Sequence, residues 1–174
     1  RQRQMCIRDS HGADWNDALD MAWEKGESVA FTCAYAGNLR NIAKTLRQLE
    51  EISGSSKIEI AHEMEDLLAG SVELYEDAAR KQALLAGYAK KCEHNISGDT
   101  IVVRLDQLAA NLEGKADWMM KNIRANEWVK DGEDGWFNGY YDNHGRKVEG
   151  VMDESVRMML TGLSLIHISE PTRL

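Results

Sequence analysis

The densest polar and aromatic cluster in the sequence is Gly12-Ala13-Asp14-Trp15-Asn16-Asp17-Ala18-Leu19-Asp20. An indole ring stacks on the apolar face of a pyranose, while amide and carboxylate groups exchange hydrogen bonds with sugar hydroxyls. Trp15, Asn16 and Asp14 therefore form a candidate sugar platform. A carboxyl beside an indole is desolvated, and desolvation favours the protonated form that a general acid needs. A plainer role is open to the same residues. Asp14 can accept from the amide of Asp17 at a helix start, where Asp17 also suits the positive end of the dipole. The two roles are compatible for different aspartates.

A second cluster is Trp136-Phe137-Asn138-Gly139-Tyr140-Tyr141-Asp142-Asn143. Aromatic and polar groups alternating across a hairpin could line a cleft, with Trp136, Tyr140 and Asp142 as candidate substrate contacts. The alternative is a hairpin that packs its aromatics on the helices beneath. Other motifs carry less. His62 and Glu63 are adjacent without the H-E-x-x-H spacing, and His11, His94 and His144 share no ligand spacing, so no metal is expected. Asn95-Ile96-Ser97 matches the glycosylation sequon, which reads as chance beside unpaired thiols. Met119-Met120 and Met158-Met159 read as core filler. No G-x-G-x-x-G, Walker A or G-x-S-x-G is present, so nucleotide binding and α/β-hydrolase chemistry have no support.

Something must position these clusters, and composition narrows what it is. The 174 residues are 43% hydrophobic and 29% charged, which suits a globular chain and not a disordered one. A single proline favours long helices over a loop-built or all-β fold. With 21 basic against 29 acidic residues the net charge is -8, which disfavours nucleic acid and anionic membranes as partners. The three cysteines, Cys6, Cys33 and Cys92, are odd in number and lack a C-x-x-C spacing. They suggest reduced thiols and a cytoplasmic location rather than a disulfide framework or zinc site. No apolar run approaches the roughly 20 residues needed to span a bilayer.

Helical periodicity dominates the interior. Phe31, Tyr35, Leu39, Ile42, Leu46 and Leu49 recur at three- and four-residue steps, the stripe of an amphipathic helix that stops near Ser53-Gly54-Ser55-Ser56. Ile58, Ile60, Ala61, Met64, Leu67 and Leu68 predict a second helix. Leu74 to about Cys92 predicts a third. Val103, Leu105, Leu108, Leu112, Trp118, Met119, Ile123 and Trp128 predict one or two more, joined at Gly114. Trp136 to Val148 reads as a β-hairpin turning at Asp142-Asn143-His144-Gly145. The expected fold class is all-α: several antiparallel helices paired by short loops, with a small β-hairpin near the C-terminal end.

The ends are out of character. Arg1 to Ser10 (RQRQMCIRDS) has no signal-peptide core, and both it and Leu163 to Leu174 (LSLIHISEPTRL) resemble translated adapter sequence. Residues 11–162 are therefore expected to be the natural part, an internal piece of one catalytic domain, and residues 1–10 and 163–174 artefactual tails.

Gly12-Ala13-Asp14-Trp15-Asn16-Asp17, followed by Gly26-Glu27-Ser28-Val29, resembles the G-[GA]-D-W-N-D-G…G-E-S-V block of the glycoside hydrolase family 94 phosphorylases. Trp136 to Gly145 looks like their W-Y-x-R-A-Y-F-D-D-G block, in the same order. The family pattern has Gly where Ala18 stands and Arg where Gly139 stands, which leaves the subfamily open. The resemblance implies a partial (α/α)6 barrel and inverting phosphorolysis of β-linked gluco-oligosaccharides to α-glucose 1-phosphate. It places the general acid on Asp17 and the cleavage-site sugar contact on Trp15. Inorganic phosphate is then a co-substrate, no cofactor is needed, and the phosphate-binding residues lie outside the chain. A homodimer of the intact enzyme is left open. Two other functions compete: an inverting hydrolase, and a non-catalytic helical module in which Trp15 and Trp136 are simply core.

Overall fold

The computed structural model describes residues 20–22, 24, 26–68, 72–152 and 155–160. Helix takes 57% of them and strand 22%, in four small antiparallel sheets. This corrects the all-α expectation and, with it, the partial (α/α)6 barrel. The chain divides into two compact units, Leu39–Lys115 and the parts flanking it up to Asn38 and from Ala116.

Helix α1 spans Val29–Ser53 and matches the longest predicted stripe in extent. Its start is capped by Ser28, whose Oγ accepts from the Phe31 amide at 3.2 Å. Its end is set by Gly54, which takes a positive φ of 67° and donates its amide to Glu50 O. The buried face matches the predicted one only in part: Leu46 is buried, and Phe31 and Leu39 are half-buried. Ala30, Cys33, Ala36, Ala43 and Leu46 are buried, whereas Tyr35, Ile42 and Leu49 are exposed. Small side chains let a helix approach its neighbours closely, and that buried stripe is what the large-residue pattern concealed.

In the Leu39–Lys115 unit, strand β2 (Lys57–Ala61) pairs antiparallel with β3 (Thr100–Arg104), placing Ile58 opposite Val103 and Ile60 opposite Ile101. The second predicted helix is thus a strand over its first part. Ile58 and Ile60 alternate with Lys57 and Glu59, and alternation decides once a partner strand supplies the hydrogen bonds. A 3-10 turn (His62–Met64) leads into the short helix α2 (Glu65–Leu68), followed by α3 (Val72–Glu76) and α4 (Ala78–Lys91). Asp77 caps α4 by accepting from the Arg80 amide at 3.0 Å. Helix α5 (Leu105–Asn126) is one uninterrupted helix, so Gly114 is not a join. The core here is Ala43, Leu46, Leu105 and Ala109, with Ile58, Leu108 and Leu112 packed against it.

The flanking unit carries β1 (Glu27–Ser28), paired with β6 (Tyr140–Tyr141), and two hairpins. These are β4 (Trp128–Asp131) with β5 (Asp134–Phe137), and β7 (Gly150–Met152) with β8 (Ser155–Arg157). Trp128 therefore begins a strand rather than ending a helix. Ala22, Tyr140 and Val148 are buried together, with Met159 against them.

Candidate functional site

In the flanking unit the Gly26–Val29 end of the first block meets the second block. Glu27 pairs with Tyr141 and Ser28 with Tyr140, so the G-E-S-V block forms a strand pair with the second aromatic cluster. Gly139 O accepts from the Val29 amide at 2.9 Å and from the Ala30 amide at 3.4 Å. It thereby satisfies amides that the first turn of α1 leaves without helical partners. Gly26 completes the approach, because a Cβ there would fall 2.3 Å from the Ala22 Cβ. Only glycine fits. The 3-10 turn Asp20–Ala22 is tied to the same place: Met21 O accepts from the Asn143 amide at 2.8 Å, and Asn143 Oδ1 from the Glu24 amide at 2.9 Å. Asp14, Trp15, Asn16 and Asp17 lie outside the described residues.

The second cluster divides by role. Trp136 is buried at 5% exposure and Tyr140 completely, so both belong to the packed interior rather than to an open stacking face. Asp142 organises the turn that the sequence predicted at Asp142–Gly145. Its Oδ1 accepts from the amides of His144 at 2.9 Å and Arg146 at 2.8 Å, and its Oδ2 from Arg146 Nε at 2.8 Å. Gly145 takes the positive φ of 69° that closes the turn. Burial pushes the Asp142 carboxyl up, but the Arg146 amide and guanidinium and the His144 amide outweigh it. The group is held below its ordinary value.

Sequence reasoning missed two buried carboxylates beside these residues. Glu127, 2% exposed, follows the end of α5. Tyr141 OH donates to both its oxygens, at 2.8 and 2.7 Å, and Asn138 Nδ2 donates to Oε2 at 3.2 Å. Lys147 Nζ stands 3.8 Å from Oε2 and donates to Asn126 O. Glu149, equally buried, accepts from the Gly139 amide at 2.8 Å and the Met159 amide at 3.2 Å. Asn138 links the two, since its Oδ1 accepts from the Glu149 amide at 3.3 Å and its amide donates to Glu127 O. Burial raises the Glu149 carboxyl above its ordinary value, against the opposing pull of its two amide donors. Trp136 Nε1 lies close enough to favour the anion slightly, though it falls short of hydrogen-bonding geometry. Glu149 acts as a surrogate backbone acceptor for two amides that lie outside the strand ladders, while Glu127 is held by side-chain donors. No spacing in the sequence marks them, because a buried acid declares itself only through its donors, which here stand 10 to 14 residues away along the chain.

The Leu39–Lys115 unit has perturbed groups of its own. The Ser97 hydroxyl and amide hold the Glu63 carboxyl down to about 2. Burial lowers the Lys115 ammonium to about 8, and it donates to Leu67 O while Asn111 Nδ2 donates to Leu68 O at 2.8 Å. Together they cover the last carbonyls of α2, a capping role. Among the described residues, no group of three or more His, Cys, Asp or Glu is placed to hold a metal ion. No described helix is long and apolar enough to cross a membrane. No protein-family model matches the chain, and no curated protein matches it.

Proposed function

We propose that this chain carries the general acid of a carbohydrate-active enzyme, an inverting glycoside phosphorylase acting on β-linked gluco-oligosaccharides. The observation that supports the reading is the pairing of the two blocks that resemble family 94 phosphorylases. Glu27-Ser28 and Tyr140-Tyr141, separated by most of the chain, share a strand ladder, and Asn143 binds Met21 and Glu24, four and seven residues after Asp17.

In this reading Asp17 protonates the leaving glycosidic oxygen, Trp15 stacks on the sugar, and Asn16 and Asp14 meet its hydroxyls. Phosphate, already anionic, attacks the anomeric carbon from the opposite face, and inversion gives α-glucose 1-phosphate. The nucleophile needs no second carboxylate, whereas an inverting hydrolase needs one to activate water. The buried acids favour the first scheme. Glu127, Asp142 and Glu149 all have oxygens committed to internal donors, which suits structural anchors and not a base. Trp136, Tyr140 and Asp142 then serve as the packed and hydrogen-bonded scaffold of the second block.

The test uses the longer reading frame that this proposal implies. It should release α-glucose 1-phosphate from a β-linked gluco-oligosaccharide only when phosphate is supplied. Asp17→Asn should lower turnover by ~10²–10⁴-fold while sugar binding persists, the usual worth of a positioned general acid. Free glucose released at the same rate without phosphate would overturn the assignment.

A further inference from the structure

Trp128 stands on the outer face of the β4–β5 hairpin, 41% exposed, although an indole is among the costliest side chains to leave in water. Its position is fixed from two sides. The register sets Trp128 opposite Phe137, and the two rings meet edge to face with centroids 5.0 Å apart at 74°. Beneath the indole lies Gly135, where a Cβ would fall 2.6 Å from both Cε2 and Cζ2 of the ring. The missing side chain lets the ring lie down on the strand. Lys130, opposite Gly135, shares this outer face, while Val129 and Trp136 point the other way, with Trp136 buried.

A flat aromatic surface held this way selects its occupant by size and charge. An aromatic side chain contributes about 150–250 Å² of contact area. Two rings therefore fall well short of the about 800 Å² per partner that a stable protein interface takes. Bases of a nucleic acid are the other flat ligands, but Asp131, Glu133 and Asp134 beside the platform and the net charge of -8 repel their phosphates. A neutral ring with axial C–H groups fits what remains, because its polarised hydrogens match the negative face of the indole.

We propose that Trp128, seated on Gly135 and braced by Phe137, is a stacking subsite for one pyranose ring of a gluco-oligosaccharide. The ligand class rests on the carbohydrate reading above; the platform itself rests on the hairpin geometry.

The test titrates the folded 174-residue chain, with ¹⁵N-labelled indoles, against cellotetraose and laminaritetraose. The Trp128 Nε1–H resonance should move saturably with at least one of them. Trp128→Ala should weaken binding about tenfold, and Trp128→Tyr should retain part of it. Gly135→Ala keeps the indole but must displace both the ring and the Val129 carbonyl, 2.6 Å from its Cβ, and should weaken binding as well. Unchanged affinity in Trp128→Ala, or no saturable indole shift with either sugar, overturns the subsite. The two proposals separate cleanly. Loss of phosphate dependence in the longer enzyme with the Trp128 shift intact removes the phosphorylase reading and leaves the platform standing. Unaltered phosphorolysis of long and short substrates by Trp128→Ala does the reverse.

Discussion

Beside the Asn138 Nδ2 donor, Glu127 is met at both oxygens by the one hydroxyl of Tyr141. Replacing it with phenylalanine leaves a buried carboxylate short of a donor, at a cost of about 1.5–3 kcal/mol. Urea denaturation of Tyr141→Phe should show that loss as a shifted midpoint with unchanged slope. Acid sensitivity has a separate origin. Glu63 is held at about 2, below its ordinary 4.5, chiefly by the Ser97 hydroxyl and then its amide. A depressed carboxyl contributes stability that is complete above 4.5 and is lost as pH falls towards 2. Ser97→Ala should therefore move that acid loss to higher pH, and Glu63→Gln should flatten the melting temperature across the window. Asp142, also lowered, acts in the same sense. Glu149 runs the other way: its carboxyl is raised by burial, so proton uptake favours the folded chain as pH falls through the range just above the ordinary glutamate value.

Gly114 is a helix-interior glycine with nothing within 4 Å of where its Cβ would sit. Gly114→Ala should stabilise α5 by about 0.5–1 kcal/mol, the entropy that glycine loses in a helix. Thermal or urea melts would register it. Gly26→Ala should do the opposite, since Ala22 occupies the space a methyl group needs. Along α1 the exposed face predicts little. Ile52, 86% exposed, should tolerate alanine within about 0.5 kcal/mol, whereas buried Leu105 at the start of α5 should lose about 2–5 kcal/mol. Helix α1 also marks where sequence periodicity misleads in part: Tyr35, Ile42 and Leu49 catch the eye by size but are exposed, while Ala36 and Ala43 are buried along with Leu46. The strands β2 and β3 were hidden for a different reason. Ile58 and Ile60 fit either period until Ile101 and Val103, far along the chain, supply a ladder.

At the level of the whole molecule, helices and strands together should give an amide I spectrum with a clear antiparallel β component, and a purely helical band would contradict the four sheets. What the sequence made legible was local chemistry. The Asp142–Gly145 turn follows from side-chain acceptors and a glycine within four residues, and the end of α1 from Gly54. The anchoring of the second cluster was not legible, because Glu127, Asn138 and Glu149 become partners only after the backbone has returned on itself. That same return governs the order of assembly. The first turn of α1 relies on the Gly139 carbonyl for its amides, and β1 on β6 for its ladder. During synthesis α1 emerges long before the residues that complete its start. Its beginning must therefore remain frayed until the second cluster has been made, and closing so large a loop is an entropically slow step. Substitutions at Gly26 or Gly139 should accordingly slow refolding in proportion to the pairing already present in the transition state, while changes in the middle of α1 act mainly on unfolding.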